Sequence, residues 1–296
     1  MLTSNMKASL KATLDDVWGD QMKKKLAWES CGFTVSSTKD AYVDDQEYAG
    51  LGVAPIKPEG AQIALDDTQE GYSKRYTMVT TALRFVVSME ALADKKYDEP
   101  ISKTKNLTNS LKMAQEYDAA NVFIRAFNSS YTGGDGLELC STAHLLPKGG
   151  TFSNEFSTPM SLSETAVETM IVNVGKIVSS NGYLLNGYNV KKLVVPRDLM
   201  FRAARILKSE KQNDTANNAI NVLKGMGIEV VSNPYLTSTT NWFGITDAEP
   251  GLKFVWRERP KFYEHKVEDN LTTSYGGYQR YDLGWTDARG VYGSAI

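Results

Sequence analysis

Few residues in this chain have the types and spacing that chemistry needs. Cys140 and His144 stand four apart, and a cysteine nucleophile requires a nearby base to draw off its proton. Working thiol–imidazole pairs meet in the fold and not usually in sequence, so this spacing is a weak pointer to a cysteine-dependent hydrolase. The alternative is a small packed cysteine and a histidine bonded to loop backbone. With Cys31 and Cys140 as the cysteines and His144 and His265 as the histidines, no four-ligand thiolate or imidazole site exists, and any metal would depend on carboxylates. The paired acids Asp15-Asp16 and Asp66-Asp67 fall where a helix surface or a turn carries charge anyway. Gly133-Gly134-Asp135-Gly136 follows a helical stretch, whereas a phosphate-cradling loop precedes one, and there is no Gly-Lys-Ser/Thr. Trp256, Tyr263, Tyr275, Tyr278, Tyr281, Trp285 and Tyr292 could stack bases, but aromatics in strands read first as core. No catalytic, cofactor or metal residue is assigned, and the expectation is a protein that is not an enzyme.

The composition agrees. Across 296 residues, 33 basic against 35 acidic side chains leave a net charge of −2, with no basic field to hold duplex DNA by counterion release. A hydrophobic content of 42% is ample for a core. Two cysteines make no disulfide framework, the N-terminus lacks the apolar centre of a signal peptide, and no run approaches the ~20 apolar residues of a membrane span. A soluble, reducing compartment is expected.

The longest uninterrupted stretch, Ser102 to Tyr131, predicts a spine helix capped by Ser102 or Thr104. Leu107, Leu111 and Ala114, then Ala119, Val122, Phe123, Ala126 and Phe127, recur on one helical face, and Leu111, Val122, Phe123 and Phe127 are the candidate spine core. Upstream, residues 1–30 read as an amphipathic helix with Leu10, Leu14, Val17 and Trp18 on one face and no evident neighbour. Phe33-Thr34-Val35-Ser36 and the run Tyr76 to Phe85 read as extended chain. Between them, residues 51–71 read as a long thin hairpin, with Pro55 and Pro58 limiting pairing and a polar turn at Asp66, Asp67, Glu70 and Gly71. Such an arm has too few large apolar residues for a core and is normally ordered by a partner.

A short helix from Ser88 to Tyr97, closed before Pro100, leads into the spine, and residues 137–160 form an irregular loop of functional or pinned character. From Ser161 helix and strand alternate: a Ser161-to-Glu164 capping box opens a helix to about Ser180, then come a strand at Lys192–Pro196, helices at Arg197–Lys208 and Ala216–Lys224, and strands at Ile228–Val231 and Trp242–Ile245. In the last segment, strands Phe254–Trp256 and Lys261–Val267 flank a charged turn, and Gly276-Gly277 introduces a strand from Tyr278 to Trp285.

Several stretches resemble the major capsid protein of tailed bacteriophages, the Hong Kong ninety-seven type of shell subunit. They are Tyr48-Ala49-Gly50-Leu51-Gly52 through Lys57-Pro58-Glu59-Gly60, Gly136 to Leu146 with Gly149-Gly150-Thr151-Phe152-Ser153-Asn154, Leu193-Val194-Val195-Pro196-Arg197-Asp198-Leu199, and Trp285 to Ser294. The resemblance implies an α+β fold with an N-terminal arm (1–46), an extended loop region (47–87), a peripheral domain with the spine helix (88–160), an axial domain (161–249) and return strands (250–296). It implies a virion subunit assembled in the host bacterial cytoplasm into hexamers and pentamers around double-stranded DNA, without cofactor or membrane. A separate scaffolding protein and a portal are the implied partners, and a decoration protein is left open. Lys57, Glu59, Gln62, Asp66, Asp67 and Glu70 are the expected loop contacts to a neighbouring copy. A prokaryotic nanocompartment shell is the alternative.

Overall fold

The computed structural model describes the chain apart from residues 1, 89, 92–93, 95–96, 185–186, 212–219, 250 and 268–271, and by backbone alone at 2–9 and 266–267. Helix α1 (Leu2–Met22) leads to strands β1 (Phe33–Ser37), β2 (Tyr42–Ala49), β3 (Gln69–Thr77) and β4 (Val79–Ser88). The run read as one strand from Tyr76 to Phe85 therefore belongs to two sheets, because the chain turns at Met78, whose N–H bonds Ala41 O. The predicted Ser88–Tyr97 helix lies partly outside the described residues.

Helix α2 (Asp98–Ile124) is the spine, 27 residues and about 40 Å long. It begins four residues before Ser102 and contains Pro100, which is tolerated in the first turn because that N–H has no intrahelical acceptor. Neither Ser102 nor Thr104 caps it; Asp98 and Glu99 instead place negative charge at its positive end. It stops seven residues before Tyr131, so Phe127 sits in the following turn and still stacks on Phe243 at 5.7 Å.

The rest comprises β5 (His144–Leu145), β6 (Thr151–Phe152), α3 (Glu164–Gly175), β7 (Val190–Val195), α4 (Met200–Lys208), β8 (Glu229–Ser232), β9 (Trp242–Thr246), β10 (Leu252–Val267), β11 (Thr272–Trp285) and β12 (Val291–Ser294). The cap of α3 is Ser163, whose side chain accepts from Ala166 N, and not Ser161. Of the helix expected at Ala216–Lys224, residues 216–219 lie outside the described ones, and Val222–Met226 is a 3-10 turn. The charged segment Arg257–Pro260 does not interrupt the chain direction: β10 runs through it with register shifts between Trp256 and Lys261, so Pro260 is absorbed at an irregularity.

Two four-stranded sheets carry the fold, ordered β1-β10-β11-β4 and β12-β9-β7-β8. The first pairs β1 parallel to β10 and is otherwise antiparallel; the second pairs β7 parallel to β8. The glycines at 276 and 277 lie inside β11 rather than ahead of it. A Cβ at Gly277 would stand 2.7 Å from Trp18 Cη2 and 2.8 Å from Leu111 Cδ1, so only glycine lets α1 and α2 lie on that strand. The main core joins both sheets through Phe33, Phe123, Phe254, Leu193, Val194 and Trp242.

The N-terminal helix has its neighbour within the same chain. Leu10 and Leu14 are buried with Val87 and Tyr275, and Trp18 with Leu107 and Leu111. One turn of α2 then grips the connection: Lys112 Nζ donates to Gln21 O and, at 2.8 Å, to Lys24 O, while the Glu116 carboxylate accepts from Ala27 N at 2.6 Å and Trp28 N at 3.1 Å. An ammonium on the last carbonyls and a carboxylate on the next free amides satisfy both loose ends.

Candidate functional site

The Cys140–His144 pair does not form. Cys140 is fully buried, and burial, followed by the Glu155 and Glu138 charges, pushes its thiol well above the ordinary range, which disfavours a thiolate. Both ring nitrogens of His144 are engaged in a different network: Nδ1 lies 2.6 Å from Asp135 Oδ2 and Nε2 3.1 Å from Asn154 Oδ1. Both partners are side chains, not the loop backbone expected. Asp135, in the glycine turn, also accepts from Leu137 N through Oδ1, so that turn serves to aim a carboxylate at the imidazole. Among the described residues there is no group of three or more potential metal ligands, and no helix is long and apolar enough to cross a membrane.

Asn154 is the hub of this region. Its Nδ2 donates to Leu139 O (2.7 Å), Ala288 O (2.9 Å) and Val291 O (3.0 Å), and its Oδ1 accepts from Ser141 N at 2.8 Å. The carbonyls fix which end of the amide is nitrogen, so His144 Nε2 is the donor toward Oδ1. One buried side chain thus ties the 137–160 loop to the C-terminal turn and β12, and the irregular stretch is pinned.

A second hub anchors the hairpin. Arg289, 2% exposed, donates to Glu47 Oε1 at 2.8 Å, Asp287 Oδ2 at 2.6 Å and Val178 O at 3.0 Å, and stacks 4.7 Å over Phe152. Burial raises the Asp287 carboxyl above the usual range against the opposing pull of Arg289. Farther along the stem, Lys253 Nζ pairs with Asp45 at 2.6 Å, and Tyr76 packs with Met78 and Val255 while its hydroxyl meets Thr286 Oγ1 at 2.9 Å.

The paired stem is β2 against β3, Tyr42–Ala49 with Gln69–Thr77, and residues 50–68 between them carry no strand. The hairpin read at residues 51–71 is therefore mostly tip, since its two prolines and Gly60 deny a ladder. Lys57, Glu59, Gln62, Asp66, Asp67 and Glu70 are all exposed. Asp66 Oδ2 accepts from Gly52 N at 2.6 Å, closing the base of the tip, and that bond lowers its carboxyl. Asp67 caps Thr68 N, and Glu70 lies in β3 opposite Tyr48. Leu111, Val122 and Phe123 are buried, and Phe123 meets Phe33 edge-on at 5.9 Å.

Sequence reasoning gave roles to the polar tip residues and passed over the apolar ones. Ile56, Ile63 and Leu65 are 96%, 77% and 99% exposed, and Leu51 and Val53 are also exposed. Apolar side chains grouped on a projecting segment mark an interaction surface. Asn154 and Arg289 were also missed, although both lie in the stretches that carried the family resemblance; a polar residue amid glycines and aromatics was the available signal.

The family model for phage capsid protein matches residues 71–294. Among curated proteins no sequence matches significantly. Solved structures similar to the chain include the capsid of a native GTA particle (13% identity, TM-score 0.58, 91% of this chain and 90% of that one). Another is a virus-like particle from Pyrococcus furiosus (12%, TM-score 0.53, 97% and 98%). The holo-SrpI encapsulin complex from Synechococcus elongatus PCC 7942 is also similar (7%, TM-score 0.53, 92% and 88%). The fold is the α+β arrangement of phage capsid subunits, and the chain belongs to the phage capsid protein family.

Proposed function

We propose that this chain is the structural, non-enzymatic subunit of an icosahedral virion shell of the Hong Kong ninety-seven type, forming hexamers and pentamers around packaged double-stranded DNA. The observation that carries the reading is the hairpin: its stem is locked to the subunit by the buried Arg289–Glu47 pair and the half-buried Lys253–Asp45 pair, while its tip exposes Ile56, Ile63 and Leu65 with nothing of its own chain to cover them. A monomer gains nothing from that arrangement, whereas a neighbouring copy would bury the apolar tip and bring many identical contacts to a closed shell. Residues 161–249 serve as the axial domain, with β12 from the C-terminus completing their sheet, and both flanks supply the peripheral domain. A separate scaffolding protein and a portal are the partners of assembly, which takes place in the host bacterial cytoplasm, and whether a decoration protein joins the finished shell is left open. The net charge of −2 suits a container that encloses DNA without gripping it. The family match favours a phage shell over a nanocompartment, and the nucleic-acid content of purified particles separates the two.

The test is to replace residues 53–65 with a short Gly-Ser turn, keeping the Gly52–Asp66 closure. The shortened chain should keep its circular dichroism and melting transition yet sediment as free subunits or capsomers. Normal closed shells, or an unfolded subunit, would overturn the reading.

A further inference from the structure

The tip carries its own recognition element. Pro55-Ile56-Lys57-Pro58 fixes φ at two positions and biases Ala54 and Lys57, which precede the prolines, toward extended backbone. Such a segment is a short polyproline-type ligand that loses little freedom on docking. Among the described residues Lys57 and Glu59, which flank Pro58, are exposed and make no ion pair.

Between α1, α2 and the irregular part of β10 lies a cleft of about 630 Å³, within the usual span for ligand pockets. Three tryptophans, Trp18, Trp28 and Trp256, line it together with Val35. Its charged lining includes Glu29 and Arg259, both exposed and in no ion pair among the described residues, whereas Lys112 is committed to the carbonyls after α1. An aromatic-lined groove with one free acid and one free base is the chemistry that receives a proline-flanked strand bearing a lysine and a glutamate. The tip does not occupy the cleft of its own chain, since Ile56 is 96% exposed.

We propose that the Pro55–Pro58 segment of one copy docks in the tryptophan-lined cleft of a second copy, with Lys57 toward Glu29 and Glu59 toward Arg259. This rests on the reading of the hairpin as an intersubunit strap and names the surface that receives it.

The experiment combines a crosslink with a charge swap in the full chain. Chains carrying Ile56→Cys are co-assembled with chains carrying Val35→Cys and oxidised; the native Cys31 and Cys140 are buried and do not compete. A disulfide-linked dimer that needs both variants is expected, and its absence from mixed particles overturns the docking. Lys57→Glu and Glu29→Lys should each weaken the contact by about two- to fivefold, and the double variant should recover the parental particle yield. Lack of recovery overturns the charge pairing. All these residues are exposed at least in part, so folding, followed by circular dichroism, should be unchanged. If the tip-shortened chain fails to assemble while the crosslink is absent, the strap stands and the cleft falls; if the shortened chain closes shells, both fall.

Discussion

Replacing Asn154 by alanine probes the pinning of the irregular loop. The substitution removes acceptors and donors from five buried or half-buried partners at once: the carbonyls of Leu139, Ala288 and Val291, the amide of Ser141 and Nε2 of His144. Three carbonyls have to share the two amide hydrogens, so the five contacts amount to about four full bonds. A buried group left without its partner costs about 1–3 kcal/mol, and water entering the vacated volume recovers part of this, which gives ~4–8 kcal/mol in total. That is on the order of half the stability of an ordinary domain. At about 2 °C per kcal/mol for a chain of this size, the melting midpoint of the unassembled subunit should fall by ~8–16 °C. Asn154→Asp, which keeps the volume but turns an acceptor toward three carbonyls, should do at least as much harm. Thermal unfolding followed by circular dichroism measures both variants. A shift under ~4 °C for Asn154→Ala would mean that the loop is held by the packing of Phe152 and Phe156 alone, and the hub argument would be wrong.

Arg289→Met should cost about 3–5 kcal/mol, because Glu47 and Asp287 remain as buried carboxylates without their cation; a parental melting midpoint would refute the anchoring role. Glu155→Gln tests a proton linkage. Burial, followed by the Glu138 charge, raises the Glu155 carboxyl in the folded chain, so its stabilising contribution is full below the usual carboxylate range and is lost as pH rises through the raised folded value. The variant should therefore gain on the parent as pH rises above about 4, and a difference in melting midpoint that does not change with pH would refute it.

How far the sequence revealed this molecule depends on the range over which each signal acts. Helices announce themselves locally: the spacing of Leu107, Leu111 and Phe123 located α2, and Leu10, Leu14 and Trp18 located α1, because 3.6-residue periodicity is written within one element. Their ends were displaced where capping came from elsewhere, as with Lys112 and Glu116 closing the α1 connection from 88–91 residues away. Strand continuity was misread wherever a breaker was tolerated by a partner. Arg257–Pro260 passes through β10 as an irregularity, and Gly276-Gly277 sits inside β11 because Tyr263, Trp18 and Leu111 occupy the space of the absent side chains.

The hubs were hidden for the same reason. Arg289 and Glu47 are 242 residues apart, Asn154 and Val291 137, so a polar residue amid glycines and aromatics flags the position while the several backbone segments it joins are written nowhere near it. The hairpin tip illustrates the opposite error. Its charged residues drew attention because a projecting loop was expected to be polar, yet Asp66 and Asp67 spend their oxygens on backbone amides of the tip itself. What the tip leaves unsatisfied is apolar surface at Ile56, Ile63 and Leu65, and this directs the search for a partner to an aromatic cleft rather than to a charged patch.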